Sequence, residues 1–553
     1  MNKNSVLLLT IFLAVSSLKI IISQFIQVPT MFSDEYVYFK TAHDFFFGNT
    51  IASSVYPPLY SILISPAFLA GNGYSAYFFA KVINAFLTTA VIFPSFFIAR
   101  GFLNSKKSVL VSILVAFIPS HFVSSFSIMS ENLFYLLFLV SFYFIYKTIR
   151  QKSFAWGVAA GLLAGLTTLT KFSGIILVIV MFFAFLYALV KKEIGNAKLV
   201  LIPLVISSLL AALWLFRNFL SGKFEITSTL GSYAMEITHP SFSLASFVTW
   251  TVLYTGILVL SLFFILFFYN IKSAGFAIKS QNEYLLLFNV LLILTAIVTI
   301  IVAANHAAVS AVKSSTSLPW TITGRAIGRY IYCLLPLFII NGFVGFTNNK
   351  TKIESKSILT VLAVITLISS QLVFFQMLPI NNSNLSWLGV MALALNKLTS
   401  NITIISITFA VILLCMLYFS FKISYKINFS RLFVGILFLF LLTSALAVGV
   451  TYYRSEKIWL PLEQTQLGIW LSENSDHSSV LLIDKRDCST YDLRNADTLC
   501  SKNDGSNLIG FWFNGKVMVS DTFENADFIA SKHDFNLPVL KETKSGIKIY
   551  EAR

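Results

Sequence analysis

The dominant pattern along the 553 residues is a series of apolar runs, each about as long as a bilayer is thick, separated by short polar breaks. The runs lie at about 5–27, 75–98, 108–125, 131–147, 154–170, 172–190, 198–216, 246–269, 285–304, 330–346, 357–376, 400–420 and 431–451. Thirteen crossings follow, and the fold class is a polytopic α-helical membrane protein. A membrane β-barrel would show short alternating segments instead. The first run is too long for a signal-peptide core and lacks a small-residue cleavage site, so it reads as a retained helix.

After Tyr453 the long apolar runs stop and charge density rises. Residues 1–453 therefore read as the transmembrane domain, including a first outer loop over 28–74. Residues 454–553 read as a small soluble α/β domain. Within it a helix is expected over Pro461–Asn474. Strands are expected over Val480–Asp484, Leu508–Phe513, Lys516–Ser520, Phe528–Ser531 and Gly546–Tyr550. Gly505, Gly510 and Gly515 read as turn glycines without phosphate-loop spacing.

Composition agrees with the pattern: 57% of residues are hydrophobic and only 12% charged, against about a quarter charged in soluble domains. The net charge of +16 does not indicate nucleic-acid binding. The bases fall in small groups between apolar runs, such as Lys106-Lys107, Lys191-Lys192 and Lys350 to Lys356, as cytoplasmic loops do. With those groups inside, the segments alternate without conflict. The N-terminus is inside, the tail is outside, and the long loops bearing Asp34, Glu35, Asp44, Glu131, Glu225 and Glu236 face out. This assigns the chain to the cell membrane with an extracytoplasmic working face.

Cys488 and Cys500 lie in the outer tail, where a disulfide and two separate thiols are both consistent with the spacing. The sequence holds no HExxH, CxxC or other clustered metal-ligand spacing, and it implies no cofactor.

Two adjacent carboxylates, Asp34-Glu35, follow the first apolar run and precede Tyr56-Pro57-Pro58-Leu59-Tyr60. One reading is a solvated acidic loop. The other is chemical: one carboxylate takes a proton from an attacking hydroxyl, and the second orients the acceptor or tunes the pKa of the first through like-charge proximity. Lys171 sits between two apolar runs on the acid-bearing face. It either snorkels or holds a phosphate as a point charge. Arg325 and Arg329 are four apart beside Gly324 and Gly328, an arrangement suited to an anion. Lys19 and Lys81 fall within apolar runs, where a charge marks function or snorkels. Glu131 heads a helix, where its charge suits the dipole, and an acceptor contact is the further option. Buried cations need anionic partners, so a bound phosphate is the expected partner of Lys171, Arg325 and Arg329.

The order of these elements resembles the C-type (GT-C) membrane glycosyltransferases, in the branch of protein O-mannosyltransferases and lipid A aminoarabinose transferases. The matching features are Lys19, then Asp34-Glu35-Tyr36, then Tyr56-Pro57-Pro58. Ser130-Glu131-Asn132, Leu169-Thr170-Lys171, Arg329-Tyr330 and a small outer domain follow. The resemblance implies an inverting transfer from a polyprenyl-phosphate sugar to an acceptor hydroxyl on a lipid, glycan or protein. It implies Asp34 as the base with Glu35 beside it, Lys171 at the carrier phosphate, and Arg329 assisting, with Tyr330 next to it. In the aminoarabinose transferases a lysine precedes the proline pair. Here that place is Tyr56, so this phosphate contact is either missing or supplied by Lys81 or Arg325. The first loop has no DxD, so metal independence is expected, with basic side chains stabilising the leaving phosphate. The absence of a WWDYG-like motif sets oligosaccharyltransferases aside. Competing readings are a transporter or lipid flippase, which would place charges and broken helices at the bilayer midplane, and a polysaccharide polymerase or ligase.

Overall fold

The computed structural model describes residues 3–30, 32–48, 56–221, 244–310, 327–348, 360–368, 394–395, 398–399, 401–424, 427–474, 480–484, 505–513, 516–520, 526–544 and 546–552. Helix α1 (Lys3–Ser23) leads into α2 (Phe32–Phe46) and α3 (Leu59–Ile64). The segment carrying the acid pair is thus partly helical. Helices α4 (Gly73–Thr89) and α5 (Ile92–Arg100) share one expected run, broken just ahead of Pro94. A proline N–H is missing without penalty in a first turn, so the helix restarts there. In the same way α6 (Ser105–Ala116) and α7 (Pro119–Ser124) split where Pro119 opens the second piece.

Helix α8 (Glu131–Gln151), α9 (Phe154–Thr170), α10 (Ile175–Val190) and α11 (Ile194–Ser221) follow. Gly157, Gly161 and Gly165 form a stripe on α9 at four-residue spacing. A Cβ on Gly165 would lie 2.4 Å from Leu210 Cδ1, so α9 and α11 approach too closely for larger side chains. The run expected at 246–269 is again two helices, α12 (Leu244–Ser261) and α13 (Ile265–Lys279). Phe263 and Phe264 take positive φ at the break, with both rings buried.

Helix α14 (Glu283–Ser310) and α15 (Leu335–Asn348) pack on α13 through a buried polar knot. Asn341 Nδ2 donates to Asn270 Oδ1 at 2.8 Å and to Asn289 Oδ1 at 2.9 Å. Such bonds hold helices together where apolar contact alone gives no preference over lipid. Helices α16 (Ile402–Ser424) and α17 (Phe429–Arg454) close the apolar part.

Among the described residues nine helices are long and apolar enough to cross a membrane, and three shorter ones are apolar too. Large apolar side chains such as Leu213, Phe216 and Phe438 are exposed on them, as a lipid-facing belt requires. The chain is an integral membrane protein. Of the run expected at 357–376, only 360–368 is described, and it is helical.

A π-helical turn over Ser455–Trp459 leads to α18 (Glu463–Asn474), β1 (Val480–Asp484), α19 (Gly505–Trp512), β2 (Lys516–Ser520), β3 (Phe528–Ser531), β4 (Val539–Glu542) and β5 (Lys548–Glu551). The strands form one sheet in the order β2-β1-β3-β5-β4. β1 is parallel to both neighbours, and the β3-β5 and β5-β4 pairs are antiparallel. The expected strand over Leu508–Phe513 is helical instead. Its apolar residues fall at helical spacing, and short apolar runs do not tell the two apart. Gly505 and Gly510 accordingly lie in a helix, not in turns. Strand β4 carries no expected strand.

This C-terminal unit sits directly on the start of the bundle. Phe511 stacks on Phe39 of α2 at 4.7 Å, and the Gly73 N–H donates to Ser472 Oγ at 3.1 Å. A Cβ on Gly73 would lie 2.2 Å from the Trp512 carbonyl, so the seat requires glycine.

Candidate active site

One end of the bundle gathers the starts of α2, α4 and α8, the joint between α9 and α10, and a 3₁₀ turn over Gly328–Tyr330. Asp34 and Glu35 lie in the first turn of α2, where the unpaired N–H groups favour carboxylates. Asp34 Oδ2 accepts from Arg329 Nη2 at 2.7 Å, and Oδ1 accepts from the Tyr56 hydroxyl at 3.1 Å. The Tyr56 ring is braced edge-on by Tyr38 at 5.2 Å, and the Tyr38 hydroxyl meets Ser130 Oγ at 2.8 Å. Burial first, and then the charge of Asp34, push the Tyr56 phenol well above its ordinary value, so it is a donor at neutral pH.

Arg329 projects from a turn packed closely against Tyr332: a Cβ at position 328 would lie 2.3 Å from the Tyr332 hydroxyl, so that ring would have to move. Its Nε lies 3.3 Å from Glu131 Oε1, and Nη1 is buried with no hydrogen-bond partner among the described residues. Burial opposes the guanidinium charge, but Glu131 and Asp34 outweigh it and raise its pKa further.

Glu131, at the first position of α8, also takes Lys171 Nζ at 2.5 Å through the same Oε1. Lys171 is extended at the break after α9, which turns so tightly that a Cβ on Gly174 would meet the Thr168 amide at 2.5 Å. The lysine ammonium also lies 5.0 Å from the Tyr330 ring centroid and 5.9 Å from that of Phe134. Tyr330 in turn meets His306 Nε2 through its hydroxyl at 2.9 Å.

The structure therefore joins Asp34, Tyr56, Glu131, Lys171, Arg329 and Tyr330 into one cluster. It also corrects the expectation of unpartnered cations: Lys171 and Arg329 are balanced internally by Glu131 and Asp34. Glu131 is more than a helix-dipole residue, because one of its oxygens serves both cations. A lone acid at the head of an apolar run, in a bundle so poor in acids, was the signal available in the sequence. Tyr38, which backs Tyr56, carried none.

Three candidates stand apart. Glu35 is wholly buried, and its oxygens accept backbone N–H groups from Thr30 at 3.0 Å and Ile128 at 2.8 Å. The part expected for it is to orient the acceptor or to tune Asp34 through like-charge proximity, and here its oxygens take up backbone N–H groups. Lys81 is buried too, and its ammonium donates to the carbonyls of Ser23 (2.9 Å) and Ile26. These carbonyls lie at and just beyond the end of α1, so Lys81 caps a helix C-terminus and does not join the cluster. Lys19 donates to Thr88 Oγ1 at 2.9 Å within the bundle. Arg325, Cys488 and Cys500 lie outside the described residues. Among the described residues, no group of three His, Cys, Asp or Glu side chains is placed to hold a metal ion.

Residues 56–221 match the family model of the dolichyl-phosphate-mannose-protein mannosyltransferases. The whole fold is similar to ArnT from Cupriavidus metallidurans. In the apo state the TM-score is 0.51 at 14% identity, covering 92% of this chain and 85% of that one. Bound to undecaprenyl phosphate, ArnT gives 0.52 at the same identity and coverage. The Archaeoglobus fulgidus oligosaccharyltransferase in the apo form gives 0.45 at 10% identity, over 94% of this chain and 69% of that one. No curated protein sequence matches. The family model thus agrees with the resemblance to the protein mannosyltransferases over 56–221, and the overall fold is similar to that of ArnT.

Proposed function

We propose that the chain transfers a sugar from a polyprenyl-phosphate carrier to an acceptor hydroxyl on the outer face of the cell membrane, with inversion and without a metal ion. The observation that carries this reading is the pairing of Asp34 with Arg329, beside Glu131 and Lys171, at the bundle end where the matched segment 56–221 begins. The ArnT fold, solved with undecaprenyl phosphate, supports a polyprenyl carrier.

Asp34 acts as the general base. The acceptor oxygen attacks the sugar C1 and passes its proton to the carboxylate. The bond between C1 and the phosphate oxygen breaks, and the electron pair leaves on that oxygen. One-step displacement from the opposite face inverts C1. Arg329 and Lys171 stabilise the leaving phosphate. In the resting arrangement Asp34 holds Arg329. The carrier phosphate competes for the guanidinium and releases the carboxylate for the acceptor. The acceptor is a lipid, glycan or protein hydroxyl.

The test is to incubate the purified protein, in vesicles carrying native membrane acceptors, with a panel of polyprenyl-phosphate sugars. Release of polyprenyl phosphate and transfer of label are then read. Turnover that Asp34→Asn abolishes supports the reading. A panel that yields no turnover, or turnover indifferent to Asp34, rejects it.

A further inference from the structure

We infer that Glu35 is the positioning residue of this site: its buried carboxylate ties the start of α2 to the turn ahead of α8 and so sets Asp34 against Arg329. The inference rests on the reading of Asp34 as base.

The ties come from three separate segments. Oε1 accepts the N–H of Thr30, in the strap that enters α2, at 3.0 Å. Oε2 accepts the N–H of Ile128 at 2.8 Å and the hydroxyl of Tyr77, on α4, at 3.5 Å. Hydrogen bonds to an ionised group are roughly twice as strong as neutral ones, and a wholly buried carboxylate needs them.

Ile128 lies just ahead of Glu131, and Glu35 directly follows Asp34. Those two acids flank a single guanidinium, at Nη2 and at Nε. Glu35 therefore fixes the span between the acids that share Arg329. The support continues outward: the Tyr77 ring lies 4.4 Å from Lys81 Nζ, and Lys81 holds the end of α1. Both Glu35 oxygens face this scaffold, so the residue acts through Asp34.

Glutamine at position 35 keeps the size but puts an amide NH₂ where one oxygen accepted. One backbone N–H then faces a donor, and the start of α2 must shift. A displacement of about 1 Å in a reacting group costs roughly 10²-fold in rate.

The experiment compares the parent, Glu35→Gln, Asp34→Asn and the double variant, as full-length proteins in the same vesicles. It reads the rate at which undecaprenyl phosphate is released from its sugar-linked form and, separately, the binding of undecaprenyl phosphate. Glu35→Gln is expected to lower the rate by about tenfold or more and to leave binding no weaker than in the parent. In the Asp34→Asn background it should cost almost nothing further, because a residue that acts through another is not additive with it. Losses that multiply in the double variant overturn the inference while leaving Asp34 as base. So does a Glu35→Gln protein with the parent rate, or one that loses binding and rate together. An Asp34→Asn protein with the parent rate overturns the functional reading itself.

Discussion

Asp34 and Arg329 are 295 residues apart in the chain and 2.7 Å apart in space. This ion pair joins the first turn of α2 to the 3₁₀ turn ahead of α15. It makes the carboxylate proposed as base the internal partner of a cation proposed for the donor phosphate.

That competition gives Asp34→Asn an uncommon signature. Loss of a general base lowers turnover by about 10²–10⁴-fold. The same change frees Arg329 and removes a negative charge, so undecaprenyl phosphate should bind more tightly. A partly exposed ion pair sets the gain at about two- to fivefold. Titrating binding in the parent and the variant checks it, and weaker binding would contradict the shared-cation arrangement.

Arg329→Lys should lose both functions together. A lysine is a point charge and cannot face Asp34 and Glu131 at two edges as the guanidinium does. Binding of undecaprenyl phosphate and turnover are each expected to fall by roughly tenfold, the scale of one strong charge-assisted bond. Parent-like values for both would remove Arg329 from the site.

Glu131 and Lys171 form a buried pair, so single and double changes should differ sharply. Breaking a buried pair from one side typically costs about 3–5 kcal/mol. Lys171→Met alone should therefore lower the unfolding temperature in detergent more than Lys171→Met with Glu131→Gln. Additive losses would mean that the two side chains do not depend on each other.

Gly73→Ala tests the seat of the C-terminal unit. The added methyl would meet the Trp512 carbonyl, and overpacking of this kind costs about 1–3 kcal/mol. Faster proteolysis of the region after Arg454 is the expected readout, with the apolar bundle left intact.

The assigned sidedness predicts that a cysteine at Lys541, on the exposed strand β4, is labelled from outside intact cells. The background replaces the four native cysteines. Labelling only after the membrane is opened would reverse the topology.

Much of the helical plan was legible because lipid enforces it: a chain must bury its backbone polar groups for the full thickness, and long apolar runs result. The breaks at Pro94 and Pro119 could have been read from the prolines. The break at Phe263-Phe264 could not, since nothing in two phenylalanines announces a positive φ. In the site, sidedness brought out Lys171 and Arg329, because bases are scarce on that face. It could not tell that Glu35 turns inward while Asp34 turns to the cations. Adjacent helical residues point about 100° apart, and only the tertiary partners decide which direction is which. Lys81 was misassigned for a related reason: a charge in an apolar run signals a need, but not whether a ligand or a helix end meets it.

The seat of Trp512 and Phe511 on α2 and α4 has a consequence for biogenesis. Gly73 and its partner Ser472 are separated by 399 residues. During synthesis the apolar face of Phe39 and Tyr77 emerges early, and its cover is made only after nearly every membrane helix has been threaded. The end of the bundle that carries the Asp34–Arg329 pair is therefore completed last. A ribosome that stops before residue 512 leaves a bundle that has inserted but carries a bare aromatic patch, the kind of surface by which quality-control factors recognise unfinished proteins.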